Sequence, residues 1–308
     1  MREVKQCDLI VVGAGPAGLS AALAARENGI ESLLLLDRLP TAGGILSQSL
    51  HRGFGSGGLS GMEYAAGLVR SVEHAGIERR QNSSVSGLSP DGTATVFGDG
   101  AVYQIRGRAV ILACGARERP VGHLPITGTR PAGVFTAGSV QRMLNLHGYR
   151  VGRRAVILGS GDVGMIVAHH LMQNGTEVLG VFEKAYISAC LERNKRLYID
   201  AYGIPLVTGC TAARLHGTDR LSAVTLCDVR EDGSLLPESA RVLACDTLVS
   251  SVGLIPEREL MEGLKNAEGE LPPWLFSCGN AERIFSMIEP VMDSGQEAGT
   301  RAAAYLMS

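Results

Sequence analysis

Leu9-Ile10-Val11-Val12-Gly13-Ala14-Gly15-Pro16-Ala17-Gly18 sets a short, wholly apolar run directly against three glycines spaced G-x-G-x-x-G. Four consecutive apolar residues before a turn signal suit a strand buried on both faces of a parallel sheet. Leu19 to Asn28 continues as a helix, and Leu33-Leu34-Leu35-Leu36 forms a second apolar block that ends at Asp37. Strand, glycine turn, helix, strand and acid together make the full dinucleotide fingerprint. Gly13 permits the tight turn, Gly15 lets a pyrophosphate touch the backbone, and Gly18 lets helix and strand pack closely. Pro16 and Ala17 open the helix, whose unpaired N–H groups attract phosphate. Asp37, 24 positions after Gly13, is placed for ribose hydroxyls. A glycine-rich turn of purely structural use would explain the glycines but not the strand, helix and acid around them.

The pattern returns at mid-chain. Arg154-Ala155-Val156-Ile157-Leu158 leads into Gly159-Ser160-Gly161-Asp162-Val163-Gly164, a helical run extends to Asn174, and Thr176 to Phe182 forms the next strand. Glu183 ends that strand, again 24 positions after the first glycine of its motif. Two complete fingerprints predict an α/β chain with two Rossmann-like dinucleotide-binding domains, whose ligands need not be the same.

Composition fits this. The chain has 308 residues, 45% apolar and 19% charged, which suits a folded protein of two domains. Its 40 glycines are about 13% of the chain against roughly 7% in an average protein, as many tight turns or close backbone approaches to ligand require. With 29 basic and 31 acidic side chains the net charge is −2, so there is no long-range pull toward nucleic acid or anionic membrane. Cys7, Cys114, Cys190, Cys210, Cys227, Cys245 and Cys278 contain no C-x-x-C pair or metal-knuckle spacing, so no metal is expected within the chain. An odd, scattered set also argues against a secreted disulfide framework. Residues 9 to 25 mimic the apolar core of a signal peptide, but Gly13, Gly15, Pro16 and Gly18 interrupt it. No other stretch approaches the roughly 20 apolar residues of a membrane span, and a cytoplasmic protein is the expectation.

The chain resembles the two-dinucleotide-domain flavoproteins of the pyridine nucleotide-disulfide oxidoreductase type, in the short form typified by low-molecular-weight thioredoxin reductase. The resemblance covers nearly its whole length. It implies FAD at the first motif and a nicotinamide nucleotide at the second. Leu112-Ala113-Cys114-Gly115 resembles the strand end where such chains leave the FAD domain. Val252-Gly253-Leu254-Ile255-Pro256 resembles the return, and Ser277-Cys278-Gly279-Asn280 the segment whose Gly-Asp binds the FAD ribityl chain. Cys114 stands where Thr is usual and Asn280 where Asp is usual; Asn keeps an acceptor and adds a donor. By the same resemblance Arg38, Gly43, Gly44, Ile45 and Gln48 lie along the cofactor. Glu289-Pro290-Val291 leads a helix whose positive end points at the flavin. The FAD domain is expected over residues 1–116 and 246–308, with the NAD(P) domain inserted over 117–245.

Thioredoxin reductases carry a redox C-x-x-C just before the second glycine motif, where this chain has Phe135-Thr136-Ala137-Gly138-Ser139-Val140. Long-form relatives place their pair shortly after the first acid, where Gly43-Gly44-Ile45-Leu46-Ser47-Gln48-Ser49 stands. Thiol-disulfide exchange inside the chain is therefore not expected. Residues 45–55, Gly61-Met62-Glu63-Tyr64-Ala65 and Gly115-Ala116-Arg117-Glu118-Arg119-Pro120 resemble flavoproteins related to anaerobic glycerol-3-phosphate dehydrogenase and to the FAD subunits of opine oxidase and hydrogen cyanide synthase. Members of the glycerol branch often have Cys where Ser49 stands. This resemblance implies a partner subunit carrying cysteines or an iron-sulfur centre; a homodimer is the other expected association.

Three functions fit these features. The first passes hydride from NADH to flavin and electrons on to an external acceptor. The second is the FAD subunit of an amine or hydroxy-acid dehydrogenase complex, and the third is a nucleotide-binding sensor or assembly subunit. Glu183 would accept from both ribose hydroxyls of NAD and repel a 2′-phosphate, with Lys184 the one nearby counter-charge, so NADH is expected over NADPH. His51 is the candidate proton donor or substrate contact, a packed loop histidine being the other reading. Arg117, Glu118 and Arg119 contact a cofactor or form a salt-bridged crossing.

Overall fold

The computed structural model describes residues 4–308, which form two compact units. The first runs to Arg117 and resumes over Ile255–Ser308; the second is Glu118–Leu254. In chain order the first unit opens with β1 (Lys5–Val12), α1 (Pro16–Glu27) and β2 (Leu33–Leu36). The last four residues of β1 and all of β2 are buried, as a run with no polar face must be. Pro16 starts α1, where its missing N–H costs no helical bond. A short 3₁₀ turn (Gly44–Gln48) and the hairpin β3 (Arg52–Phe54) and β4 (Leu59–Ser60) lead to α2 (Gly61–His74). A capping box closes its start: the Glu63 N–H donates to Ser60 Oγ at 3.2 Å and the Ser60 N–H to the Glu63 carboxylate at 2.8 Å. Then come β5 (Glu78–Arg80), β6 (Ser84–Leu88), β7 (Thr93–Gly98) and the long β8 (Ala101–Leu112).

After β9 (Ala116–Glu118) the second unit contains β10 (Thr127–Gly128), β11 (Val134–Thr136), α3 (Ala137–His147), β12 (Arg154–Leu158), α4 (Asp162–Gln173), β13 (Glu177–Glu183) and α5 (Glu192–Tyr198). It continues with β14 (Leu206–Thr208), β15 (Cys210–Gly217), β16 (Leu221–Val229), β17 (Leu235–Ala244) and β18 (Thr247–Ser250). Five parallel strands run in the order β11-β18-β12-β13-β14, and a separate sheet runs β10-β15-β16-β17. The chain returns through β19 (Leu254–Pro256) and α6 (Glu259–Glu262) to β20 (Leu275–Ser277) and α7 (Ile288–Met307).

The first unit's sheet has the order β5-β2-β1-β8-β7-β6, with β20 also on β8. β5, β2, β1, β8 and β20 pair in parallel, while β6, β7 and β8 form an antiparallel meander. α7 packs on α1 backbone to backbone. A Cβ on Gly299 would lie 2.2 Å from the Ala21 carbonyl oxygen, so only glycine fits there, with buried Ala298 and Ala302 beside it.

The return crossing differs from the expected residue 246. Thr247–Ser250 lies between β11 and β12 as β18 of the second unit, and the first unit resumes at Ile255. A four-residue buried strand carries no local mark of the sheet it joins. Among the described residues no helix is long and apolar enough to cross a membrane.

Candidate functional site

The first glycine turn joins β1 to α1 at the carboxyl end of the central strand. Gly13 has φ +108°, and a Cβ there would meet the Ala113 carbonyl oxygen at 2.3 Å; one on Gly18 would meet the Gly13 oxygen at 1.8 Å. Gly15 differs, with nothing nearer to its Cβ position than Gly44 Cα at 3.8 Å. The turn is closely packed beneath Gly13 and Gly18 and open at Gly15. Asp37, buried at the end of β2, accepts the Ala14 N–H on Oδ2 at 2.6 Å and the Leu39 N–H on Oδ1 at 2.7 Å. Among the described residues these two bonds leave about two of the carboxylate's roughly four acceptor positions open.

Other residues of the first unit converge on this turn. The Gly43 N–H donates to the Ala14 oxygen at 2.7 Å, which lays Gly43-Gly44 against the turn. Gly279, at φ +60°, faces Ala17 so closely that a Cβ would sit 2.6 Å from the alanine methyl and 3.5 Å from Val291. Its N–H donates to Ser294 Oγ at 3.1 Å. Asn280 Oδ1 accepts the Phe285 N–H at 3.0 Å, so the amide oxygen is engaged and the NH₂ remains. Glu289, Pro290 and Val291 lie within the first turn of α7 rather than before it. Arg38 and Ile45 are exposed, and Gln48 is half-buried. Gly115 accepts the Glu257 N–H at 3.0 Å.

His51 heads an aromatic row. Its ring centroid lies 5.0 Å from Phe54, which stacks at 6.3 Å on Tyr64, and the Tyr64 hydroxyl donates to Met292 Sδ at 3.1 Å. Burial, with the negative charge of Glu289 second, holds the Tyr64 phenol above its ordinary range. Ser49 is buried under Gly61 and donates to the Ile45 oxygen at 3.1 Å.

The second unit repeats the first motif's geometry. A Cβ on Gly159 (φ +93°) would meet the Ser251 oxygen at 2.3 Å, and one on Gly164 the Gly159 oxygen at 2.5 Å; around Gly161 nothing lies within 4 Å. Glu183 Oε2 accepts from the Ser160 N–H at 2.8 Å and from its hydroxyl at 2.7 Å, while Oε1 accepts the Ala185 N–H at 2.9 Å. A further set of bonds uses side chains of the motif, where Ala14 and Pro16 of the first motif have no polar side-chain group. Asp162 Oδ1 accepts both the Leu191 N–H and the Asn194 side-chain N–H at 2.9 Å, and Ser160 Oγ accepts the Ala189 N–H at 3.0 Å. These bonds tie residues 185–194 to the glycine motif. Val163 is exposed on the first turn of α4. Gly253, expected in the returning FAD domain, belongs to the second unit and accepts the Arg119 N–H at 3.0 Å.

At the stretch where a dithiol would stand, Glu118 Oε1 accepts the Gly138 N–H at 2.7 Å at the start of α3. Arg117 pairs with Glu257 at 2.7 Å and with Glu259, an exposed cluster that adds little stability. Burial pushes the Cys114 and Cys278 thiols up to about 12 and those of Cys7, Cys210 and Cys245 up to about 11, so these stay protonated and unreactive. Sequence reasoning missed the parts played by Ser160, Leu191, Asn194 and Tyr64. Their partners lie across tertiary contacts, and only the polar x positions of the second motif hinted at them.

Residues 7–273 match the family model described as pyridine nucleotide-disulphide oxidoreductase. The chain belongs to this family. It is accordingly an FAD-dependent oxidoreductase, and membership implies FAD binding and pyridine nucleotide use. It is 28% identical over 276 residues to the HcnB subunit of hydrogen cyanide synthase from Pseudomonas protegens, covering 82% of this chain and 58% of that one. It is 30% identical over 185 residues to an opine oxidase subunit from Rhizobium meliloti, covering 59% and 40%. It is 31% identical over 250 residues to the alpha subunit of sarcosine oxidase from a Corynebacterium species, covering 74% and 24%. The chain thus spans from about a quarter to under three fifths of these relatives' lengths. In fold it matches the thioredoxin reductase of T. acidophilum, with a TM-score of 0.75 at 20% identity over 99% of this chain and 100% of that one.

Proposed function

We propose that this chain is an NADH-linked, FAD-dependent oxidoreductase that passes electrons to an acceptor outside itself, with FAD at the first glycine motif and NAD at the second. The observation that carries this reading is the repeated geometry. In each motif the first glycine is pressed on the carbonyl just past the end of a neighbouring strand, the second is accessible, and the terminal acid is held by the N–H that follows the first glycine. When bound, FAD supplies a two-electron store that can take a hydride equivalent and release it to a second reactant. The start of α1 binds the diphosphate through its free N–H groups, and the Gly15 surface admits it. Asp37 accepts from the adenosine ribose, Asn280 offers its NH₂ to the ribityl hydroxyls, and the N–H groups that open α7 favour negative charge on the reduced ring, with the Glu289 carboxylate of the same turn acting against them. Gly43, Gly44, Ile45 and Gln48 line the cofactor, and His51 holds the exchangeable proton. Glu183 selects a ribose without a 2′-phosphate.

Anaerobic mixing with NADH tests the proposal. Rapid bleaching of the flavin absorbance supports it, and heat-released flavin should run as FAD rather than FMN.

A second reading is favoured by the relatives, which are subunits of hydrogen cyanide synthase, opine oxidase and sarcosine oxidase. In that case the chain is the FAD subunit of an amine or hydroxy-acid dehydrogenase complex. Its partner would carry cysteines or an iron-sulfur centre, and bleaching would follow only an organic substrate. Bleaching by neither donor would refute both readings.

A further inference from the structure

The two glycine motifs differ at one position that matters electrostatically. Pro16 opens α1, whereas Asp162 opens α4. Both strap bonds to Asp162, from Leu191 N–H and Asn194 Nδ2, land on Oδ1. Among the described residues no hydrogen bond reaches Oδ2. That oxygen is negative and acceptor-only, and it stands at the helix start where N–H groups would otherwise attract an anion. Next to it Gly161 faces space with nothing within 4 Å, the approach a diphosphate would use. No ion pair among the described residues neutralises the carboxylate: in α5, Lys195 pairs with Asp200 and Arg196 with Glu192, and none links Arg193 to Asp162.

We propose that Asp162 is a positioning residue with two opposed effects on nucleotide binding: Oδ1 latches residues 185–194 beside Glu183, and Oδ2 repels the diphosphate and so keeps the nucleotide exchangeable. This rests on the reading of the second motif as the NAD site. The division fits the two ligands, because a resident cofactor gains from a helix start without charge, whereas a nucleotide that must leave after each turnover gains from weaker binding. Ser160 completes the latch, since its hydroxyl donates to Glu183 and accepts from the Ala189 N–H.

The isosteric change Asp162→Asn separates the effects. The Asn Oδ1 can accept both strap bonds while its NH₂ replaces the repelling oxygen with a donor. NAD⁺ is titrated calorimetrically into the FAD-loaded full chain, and hydrogen exchange is followed over residues 185–198. Asp162→Asn should bind NAD⁺ at least threefold more tightly than wild type with exchange unchanged, and should lower the NADH KM more than it changes kcat. Asn194→Ala, which removes one strap bond and keeps the charge, should speed exchange in the segment and weaken binding at least threefold. Equal or weaker NAD⁺ binding by Asp162→Asn with exchange protection intact overturns the repulsive role. Faster exchange in Asn194→Ala without weaker binding, or no change in exchange, overturns the latch. If the wild type itself binds neither NAD⁺ nor NADH, the assignment of the second motif falls, and this inference with it.

Discussion

Gly295 of α7 lies so close to Ala17 of α1 that a Cβ on the glycine would sit 2.2 Å from the alanine carbonyl oxygen. The contact fixes α7 against the helix that opens the first motif. Gly295→Val should cost about 2 kcal/mol or more by forcing the helices apart. It should also lower the fraction of chain purified with bound flavin, as read from the ratio of visible to ultraviolet absorbance. An unchanged urea midpoint would show that the helices separate freely.

Gly159 and Gly161 are two residues apart and should respond oppositely. Alanine at Gly159 meets the Ser251 oxygen at 2.3 Å and needs φ near +93°, so it should destabilise the fold by at least about 1 kcal/mol. Alanine at Gly161 meets nothing within 4 Å and keeps an ordinary φ of −67°. Gly161→Ala should melt like wild type yet raise the NADH KM at least fivefold, because the methyl fills the surface a diphosphate would touch. Matched melting with an unchanged KM would remove this turn from nucleotide binding.

NADH should outperform NADPH by roughly tenfold in kcat/KM, equivalent to about 1.4 kcal/mol. A 2′-phosphate would meet the Glu183 carboxylate, and the Lys184 ammonium lies toward Gly233, 3.8 Å from that glycine's Cβ position. Single-turnover flavin reduction with both nucleotides measures the ratio, and Glu183→Gln should narrow it. Equal efficiency in the wild type would contradict the assignment.

The buried and half-buried thiols give the protein an alkaline liability. Their pKa values in the fold, about 11 for Cys7, Cys210 and Cys245 and about 12 for Cys114 and Cys278, stand above the ordinary 9.0. As pH rises past about 9 the unfolded chain loses these protons first, so the contribution is complete below 9 and is lost as pH climbs toward 12. The urea midpoint should fall between pH 8 and 10.5. Replacing Cys114 and Cys278 with serine should flatten the fall and leave NADH-dependent flavin reduction intact. Loss of reduction with flavin still bound would give a thiol a redox part.

The α/β class and the paired dinucleotide architecture were legible because their signals are local. Apolar blocks, glycine spacing and a terminal acid all fall within a 30-residue window. The return crossing was not, since Thr247-Leu248-Val249-Ser250 suits any buried parallel strand and only its pairing with β11 and β12 decides its sheet. The acids Asp37 and Glu183 stood out, but their bonding to Ala14 and Ser160 needed the turn's coordinates. Asp162 was legible as a cofactor-binding position of the second motif, but its bonds were not, because its partners Leu191 and Asn194 are brought to it by the loop after β13 and the start of α5.

The strand β20 and the helix α7 are made only after the entire second unit has been synthesised, yet they complete the sheet and the helix layer of the first. Until then α1 lacks α7 on its alanine face, and β8 lacks the strand that pairs with Val110, Ile111 and Leu112. The inserted unit, continuous in sequence, can close alone. Vectorial synthesis therefore imposes an order on this chain, in which the interrupted half waits with apolar surface exposed and is the half that a chaperone or protease would meet. A premature stop anywhere between residues 255 and 290 would leave a finished second unit tethered to an unfinished first.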